Sequence, residues 1–456
     1  MSDLQYAGEF ELNKLEIIAS SGIGIPLLKS CLEINIYESI FSNSLTGNLT
    51  VADTNNLIEN MPFIGQEQLL LKITTPSLED ESIDFTKNAF SIYNISVNAE
   101  LSAGASVYVL EFCSPELIRN NRVRVSKSFT DTPSTILEQV LTDSRYINTT
   151  KDIDLEKTSG IKSIVVPNQR PFDFLRCLIQ DCKSEKGSPH YLFYETTKGY
   201  NFRTLQNLYE NNAVAVFNNS DAGPDETTGN TLGIEEAYNR MINFDIKPPN
   251  NALDDSRAGM FGAKVITHNI FNKSYAVNTY GYFSDFDKHK RIDEKNNPKY
   301  NDNVGEWSDS RIYVHPTSSS GSNLNAQYRD ENNSNNSVIA NQIGETILHR
   351  KERMYELDFS NNIALEIHGT TNITAGDIIE INYTAPGRNN DIGTLDKSKS
   401  GRYLITKLRH TFSPVTNQHQ INMVVSRDSL PSELPFSVNV AEVKKQGKAQ
   451  VLDITT

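Results

Sequence analysis

Between Cys31 and Thr74, apolar residues recur at alternate positions: Leu32, Ile34 and Ile36, then Leu49 and Val51, then Leu69, Leu71 and Ile73. A period of two is the spacing of a strand with one buried face and one wet face. Several such strands in quick succession, joined by short polar stretches, restrict the chain to an antiparallel barrel or sandwich. Ser39 to Gly47 reads as the first loop, with Gly47 supplying the backbone angles of a turn. Asp53 to Glu59 reads as one helical turn carrying Leu57 and Ile58 inward, halted at Met61-Pro62 because proline disfavours a helical residue before it. Gly65 then opens the third strand.

The order of pieces in YESIFSNSLTGNLTVADTNNLIENMPFIGQEQLLLKI carries a resemblance. An E-S-I-F with its short loop, a G-x-L-x-V-x-D strand and P-F-I-G-x-E before the next strand resemble the opening barrel of the central baseplate hub proteins of contractile phage tails. The hub part of type VI secretion spike proteins is related to that family.

Further along, Phe90, Ile92, Ile95 and Val97 form a strand whose three-residue step predicts a bulge. Gly104 turns into Val107 to Phe112, and Ser114-Pro115 ends a first barrel over residues 1–115. Leu15 to Ile18 and Ile23 to Leu28 are short apolar segments before it. GIGIP at 22–26 lacks the third glycine of a dinucleotide fingerprint, and Pro26 obstructs the strand-to-helix turn such a site needs.

Residues 116–208 read as an α/β domain. Thr132-Pro133-Ser134 starts a helix with Ile136, Leu137, Val140 and Leu141 on one face. Ile161, Ile164 and Val165 make a strand ended by Pro167-Asn168. Pro171 opens a helix over 171–183 that turns Phe172, Phe174, Leu175, Leu178, Ile179 and Cys182 inward. A hairpin over 191–205 follows, turning at Thr197-Lys198-Gly199. This succession of strand, P-N-x-x-P, helix and K-G hairpin also resembles the hub family.

Residues 209–259 read as a linker, rich in Gly, Asp, Asn and Thr from 218 to 230, and the start of a second barrel, in which Met241, Phe244 and Ile246 alternate. Residues 260–336 read as an inserted small domain with a strand from Val265 to Phe271 and the low-complexity QYRDENNSNNS at its end. A helix from Val338 to Tyr355 resumes the main line over 337–430. Strands follow at Ile363 to Ile367, Ile378 to Tyr383, Tyr403 to Arg409 and His419 to Ser426. There an A-G-D turn at Ala375-Gly376-Asp377 and a G-x-Y-L-I-T strand from Gly401 resemble the closing barrel of the hubs. Residues 431–456 read as a polar arm. The fold class is therefore mainly β with α+β parts: two tail-tube-like antiparallel β-barrels, an α/β domain and an inserted small domain.

Composition narrows the function. At 456 residues the chain exceeds one ordinary core. Its formal charge of −14 argues against specific nucleic-acid binding, which needs clustered Lys and Arg. Two basic spots, Arg119 to Lys127 and His349 to Arg353, mix with apolar or acidic neighbours and read as solvated faces. No apolar run approaches the roughly eighteen residues of a membrane span, so no direct membrane insertion is expected. The first residues lack the pattern of a signal peptide. Cysteines 31, 113, 177 and 182 are too few and scattered for a disulfide framework, which fits a reducing cytoplasm.

Nothing reads as catalytic, cofactor-binding or metal-ligating. Phosphate-loop, zincin and nucleophile-elbow patterns are absent. Cys177 and Cys182 have the wrong spacing for redox or zinc work, and Cys182 fits a core thiol. His410 and His419 can face each other across a hairpin, but two histidines without a third ligand make a poor metal site. No carboxylate pair stands out, and Trp307 is the lone tryptophan.

Two function classes remain: a structural baseplate hub, and a virion-associated or secreted cell-wall or polysaccharide hydrolase. The resemblance favours the hub. It implies a homotrimer in the virion tail baseplate, assembled in the host cytoplasm. Its partners would be the spike or tail lysozyme protein, the tail tube or tube initiator and the baseplate wedge proteins. No partner-binding residue is assigned from sequence.

Overall fold

In the computed structural model, residues 4–19, 22–53, 65, 67–76, 82–102, 105–180, 182–219, 233–246, 252–269, 274–295, 310–317, 348–351, 353–354, 357, 362–384 and 395–432 are described. The chain begins with eight strands: β1 (Glu11–Ile18), β2 (Gly24–Pro26), β3 (Cys31–Ser39), β4 (Thr46–Asp53), β5 (Gln68–Thr74), β6 (Ile83–Asp84), β7 (Phe90–Ser102) and β8 (Ala105–Cys113). They lie in the order β3-β4-β8-β7-β5-β1, with β2 on β1 and β6 on β5, all antiparallel. Ile34, Ile36, Leu49, Val51, Leu69, Leu71, Ile73, Phe90, Ile92, Leu110 and Phe112 share one core.

Two sequence expectations change here. Leu32 is the extra residue of a bulge between Cys31 and Glu33, so Cys31 takes the buried place instead. Gly47 lies inside β4 rather than in a turn. A Cβ there would enter the Phe112 ring and the Asn35 carbonyl, so close approach is what demands glycine. The expected bulge in β7 falls between Ile92 and Asn94. Asp53 ends β4; the rest of the helical turn expected at 53–59, and the turn at Gly104, lie outside the described residues.

Next come α1 (Pro115–Arg122), β9 (Val125–Asp131), α2 (Pro133–Thr142), β10 (Ile153–Leu155), β11 (Lys162–Gln169), α3 (Pro171–Gln180), β12 (Tyr191–Thr196), β13 (Gly199–Thr204) and α4 (Leu205–Tyr209). They build two small sheets, β9–β11 and β10-β13-β12. The Thr132 hydroxyl caps α2 by accepting from the N–H of Thr135. Ile136, Leu137, Val140 and Leu141 are fully buried against α3 and its neighbours. Each such side chain contributes about 1.5–3 kcal/mol relative to exposure. α3 ends at Gln180, short of the expected 183, and Cys182 sits just beyond it in the core. β11 does not stop at Pro167-Asn168. Asn168 takes φ +52° at a register shift, and the strand continues to Gln169. Val165 is exposed, and Val166 fills the core place.

The remaining elements are β14 (Ala213–Asn218), α5 (Ile234–Tyr238), β15 (Met241–Ile246), α6 (Ala252–Ala258), β16 (Gly262–Asn269), β17 (Ser274–Gly281), α7 (Tyr282–Asp285), β18 (Ile312–Thr317), β19 (Ile363–His368), β20 (Ile378–Asn382), β21 (Gly401–Ser413) and β22 (Gln418–Ser426). The middle strands form a separate sheet, β17-β16-β18. β14 was not expected. Its valines, Val214 and Val216, face solvent, while Ala215 and Phe217 face the core, so apolar residues line both faces and no alternation marks the strand. It pairs with β20 in parallel. Of the helix expected over 338–355, residues 348–351 and 353–354 are described and helical; the remainder, the low-complexity stretch, most of the 218–230 linker and the arm after 432 lie outside the described residues.

The two main sets of strands repeat one plan. β15-β19-β22-β21-β20-β14 has the same order as β3-β4-β8-β7-β5-β1, with the same succession along the chain. Two of the bulges also coincide. Cys31/Glu33 in β3 matches Met241/Asn243 in β15, and Ile92/Asn94 in β7 matches Ile405/Lys407 in β21. β1–β5 is antiparallel where β14–β20 is parallel. The second set nearly closes, since the N–H of Asn218 in β14 donates to the carbonyl of Asn239 beside β15 at 2.8 Å. Among the described residues neither set is a fully hydrogen-bonded barrel. Instead β21 pairs with β3 and fuses both into one sheet. No helix among the described residues is long and apolar enough to cross a membrane.

Candidate functional site at the seam of the two sheets

β21 changes partner along its length. Gly401 to Leu404 pair with β20; past the bulge at Thr406, Lys407 to Phe412 pair with Ser39 to Ile34 of β3. A bulge bends a strand and redirects its edge, which is what this exchange requires. The N–H of Ile40 donates to the Thr406 carbonyl at 3.1 Å and completes the joint. On the inner face Phe412 is fully buried and meets Phe10 edge-on at 5.3 Å.

The other face is polar. Asn35 Oδ1 accepts from Thr411 Oγ1 at 3.0 Å and from Arg409 Nε at 2.9 Å, while Asn35 Nδ2 donates to Asn48 at 2.8 Å. Arg409 also pairs with Glu33 at 3.5 Å; both side chains are over 40% exposed, so the pair contributes about 0–1 kcal/mol. This face forms a groove of about 440 Å³, whose lining includes Tyr37, Asn243, Asp245, Glu366, Lys407 and Arg409.

Beneath the seam, three sequence motifs meet at one carboxylate. Glu38, from E-S-I-F, has a fully buried side chain. Its Oε1 accepts from the N–H of Thr197 in the K-G hairpin, and its Oε2 from the N–H of Ala375 in the A-G-D turn, both at 2.8 Å. Hydrogen bonds to a charged acceptor are strong, and a buried carboxylate without them would be expensive. Gly376 has φ +97°, and a Cβ there would strike the Tyr194 hydroxyl, so the turn demands glycine on two counts.

Two further buried ionic groups anchor neighbouring elements. Glu195 in β12 accepts from the N–H of Leu45, from Ser114 Oγ and from Lys151 Nζ, and Lys151 also pairs with Glu116. Burial raises the Glu195 carboxyl despite the ammonium of Lys151. After β22, Asp428 pairs with Arg353 at 2.5 Å and Arg291 at 3.6 Å. Burial alone would raise Asp428, but the two guanidiniums outweigh it and hold the carboxyl below its usual range. The stretch His349 to Arg353 is therefore not a solvated face: His349 and Arg353 are buried, and Arg350 donates to the Tyr191 carbonyl at 2.7 Å. The stretch Arg119 to Lys127 is a solvated face, with Arg122, Arg124 and Lys127 exposed, although Arg119 turns back onto the carbonyls of Tyr146 and Ser144.

No protein-family model matches this chain. In sequence it is 21% identical over 420 residues to the probable baseplate hub protein gp334 of Vibrio phage KVP40, covering 90% of this chain and 92% of that protein. In structure it is similar to the tail protein from Neisseria meningitidis MC58, with a TM-score of 0.53 at 7% identity, covering 92% of this chain and 97% of that one. The 43 kDa tail protein of prophage MuSo2 from Shewanella oneidensis gives a TM-score of 0.51 at 9% identity, covering 91% and 99%. The chain shares the fold of these two tail proteins. The resemblance to baseplate hubs, carried in sequence by short motifs, thus extends over nearly the whole chain.

Within this tail-protein fold, His410 and His419 do face each other, Nδ1 to Nε2 at 3.1 Å, fully buried beside Phe412. Burial, aided by His410, holds His419 well below its ordinary pKa. Among the described residues no group of three or more His, Cys, Asp or Glu is placed to share a metal ion. Cys177 is exposed and Cys182 is buried; Trp307 lies outside the described residues. Sequence reasoning assigned no partner surface and missed Glu38. The signal was present, because a glutamate at an inward position of an alternating strand needs a dedicated partner.

Proposed function

We propose that this chain is a structural hub of a phage tail baseplate, three copies of which form a ring between a six-fold tail tube and a three-fold membrane-piercing spike. The repeated strand order carries the reading. A three-fold ring can meet a six-fold surface only if each subunit offers two similar faces, and two matching sets of strands in one chain supply them. The polar face of the fused sheet would line a channel for DNA passage. Its partners would be the spike or tail lysozyme protein, the tube or its initiator, and the wedge proteins, with assembly in the host cytoplasm. The role is non-enzymatic; clearing of cell-wall material in a zymogram would instead favour a hydrolase. Light scattering coupled to size exclusion tests the ring. Three copies, alone or with the co-expressed spike, are expected; a monomer or dimer beside the spike would defeat this reading.

A further inference from the structure

Lys151 is buried together with both of its carboxylate partners: its side chain is 5% exposed, that of Glu116 5% and that of Glu195 0%. Its Nζ lies 2.5 Å from Glu195 Oε1 and 2.8 Å from Glu116 Oε2. The rings of Phe85 and Tyr200 stand around it, with centroids 6.0 and 5.9 Å from Nζ. One ammonium faces two carboxylates here, in surroundings where even a matched pair barely repays its desolvation. An amine nitrogen, a carboxyl carbon, a second carboxyl to carry protons and a donor on the remaining oxygen are what amide formation needs. We propose that Lys151 and Glu195 become joined by an amide bond from Nζ to Cδ, formed once per chain by the folded protein itself.

A nitrogen hydrogen-bonded to a carboxylate oxygen stands about 3–3.5 Å from its carbon, the separation of a near-attack arrangement. Burial acts against the charge on Lys151, but the two carboxylates outweigh it and hold the ammonium above its usual range. The reaction therefore starts with proton transfer inside the pair: Nζ gives one proton to Oε1, leaving a neutral amine beside a neutral acid. The amine lone pair attacks Cδ, and the carbonyl electron pair moves onto Oε2. The N–H of Leu45, 2.8 Å from Oε2, holds the negative charge that develops there. Glu116 takes a second proton from Nζ and passes it to Oε1, to which Ser114 Oγ also donates at 2.8 Å. The Cδ–Oε1 bond breaks and water leaves. Of the three ammonium protons, two depart in the water, one stays on the amide, and Glu116 recovers its charge. The product replaces two buried charges with one neutral amide, which favours the bond. It ties the connection ahead of β10 to β12 across 44 positions of sequence. β12 leads directly to Thr197, whose N–H holds Glu38.

Intact-mass spectrometry of the purified full chain, denatured before injection, is the test. The natural chain should weigh one water less than its sequence. Digestion should release a branched peptide joining Lys151 to Glu195, with no tryptic cleavage after Lys151. Glu116→Gln keeps the shape of the side chain but cannot carry the proton, so that variant should keep the full sequence mass. Lys151→Arg should keep it too. A folded natural chain at full sequence mass after prolonged incubation at neutral pH would overturn the proposal and leave Lys151 an ionic anchor. A missing water found inside a linear peptide, or still missing in Lys151→Arg, would overturn it as well. Loss of water in Glu116→Gln would overturn the proton route through Glu116. The natural chain decides the bond by itself, so the outcome stands even where a variant fails to fold.

Discussion

Thr411 Oγ1 donates to Asn35 Oδ1 at 3.0 Å, although 376 residues separate the two in sequence. The contact lies on the seam where the last long hairpin pairs with β3. β3 must therefore wait for nearly the whole chain before its second edge is satisfied, and contacts of such long range form late and slowly.

Glu38 should be the most sensitive polar residue at this seam. Glu38→Ala leaves the N–H groups of Thr197 and Ala375 without their acceptor, for an expected loss of about 3 kcal/mol or more. Glu38→Gln keeps one acceptor oxygen and should cost about 1–2 kcal/mol. Urea midpoints compared across the three proteins check this, and an unchanged midpoint for the alanine variant would contradict it.

Gly376→Ala combines positive φ with a collision at Tyr194. The strained backbone alone is expected to cost about 1–3 kcal/mol, with the collision added to it. Tyr194→Phe removes the oxygen that the new Cβ meets, so Gly376→Ala with Tyr194→Phe should be more stable than the two single losses summed. Strict additivity in this cycle would show that the two residues do not meet.

Two neighbouring groups should give opposite pH dependences. Burial, helped by His349 and Arg353, lowers His289 to about 3. The unfolded histidine, near 6.5, therefore takes up a proton that the folded one refuses. Its contribution is full above pH 6.5 and is lost on acidification by up to about 1.4 kcal/mol per pH unit. Burial raises Asp293 to about 6 against the pull of Arg427 and Arg402. The folded form then binds a proton between about pH 4 and 6 that the unfolded form does not, and acidification favours folding in that window. Relative to the natural chain, His289→Gln should gain stability from pH 6 to pH 4 and Asp293→Asn should lose it. Parallel urea curves at pH 4, 5 and 6 for all three proteins would refute both assignments.

The polar face should not hold DNA. Glu33, Asp245 and Glu366 lie on it with Lys407 and Arg409, and Arg409 is already paired with Glu33. Phosphate neutralisation requires cations that are free to bind and release counterions. Fluorescence anisotropy with duplex DNA at about 0.15 M salt should show no saturable binding below the micromolar range. Micromolar or tighter binding with a steep salt slope would contradict the reading of this face as a passive channel wall.

Strands β3, β4, β5, β7 and β8, the hairpin at 191–205 and helices α2 and α3 were legible because each displays its own period. Period two marks a half-buried strand, period 3.6 an amphipathic helix, and both are local. Gly65 and Gly376 were legible as glycines just ahead of two strands, and both take positive φ before the equivalent strands β5 and β20. β14 was not legible: its alanines face inward and its valines outward, so only the sheet around it reveals the strand. Arg353 gave no local sign of burial, because its partner Asp428 lies 75 positions away. The sequence by itself determined the period of each element, the turn glycines and the family resemblance, since these depend on neighbours along the chain. Which edges meet, which carboxylate is buried and which face stays polar depended on pairings hundreds of residues apart, and only the tertiary structure decided them.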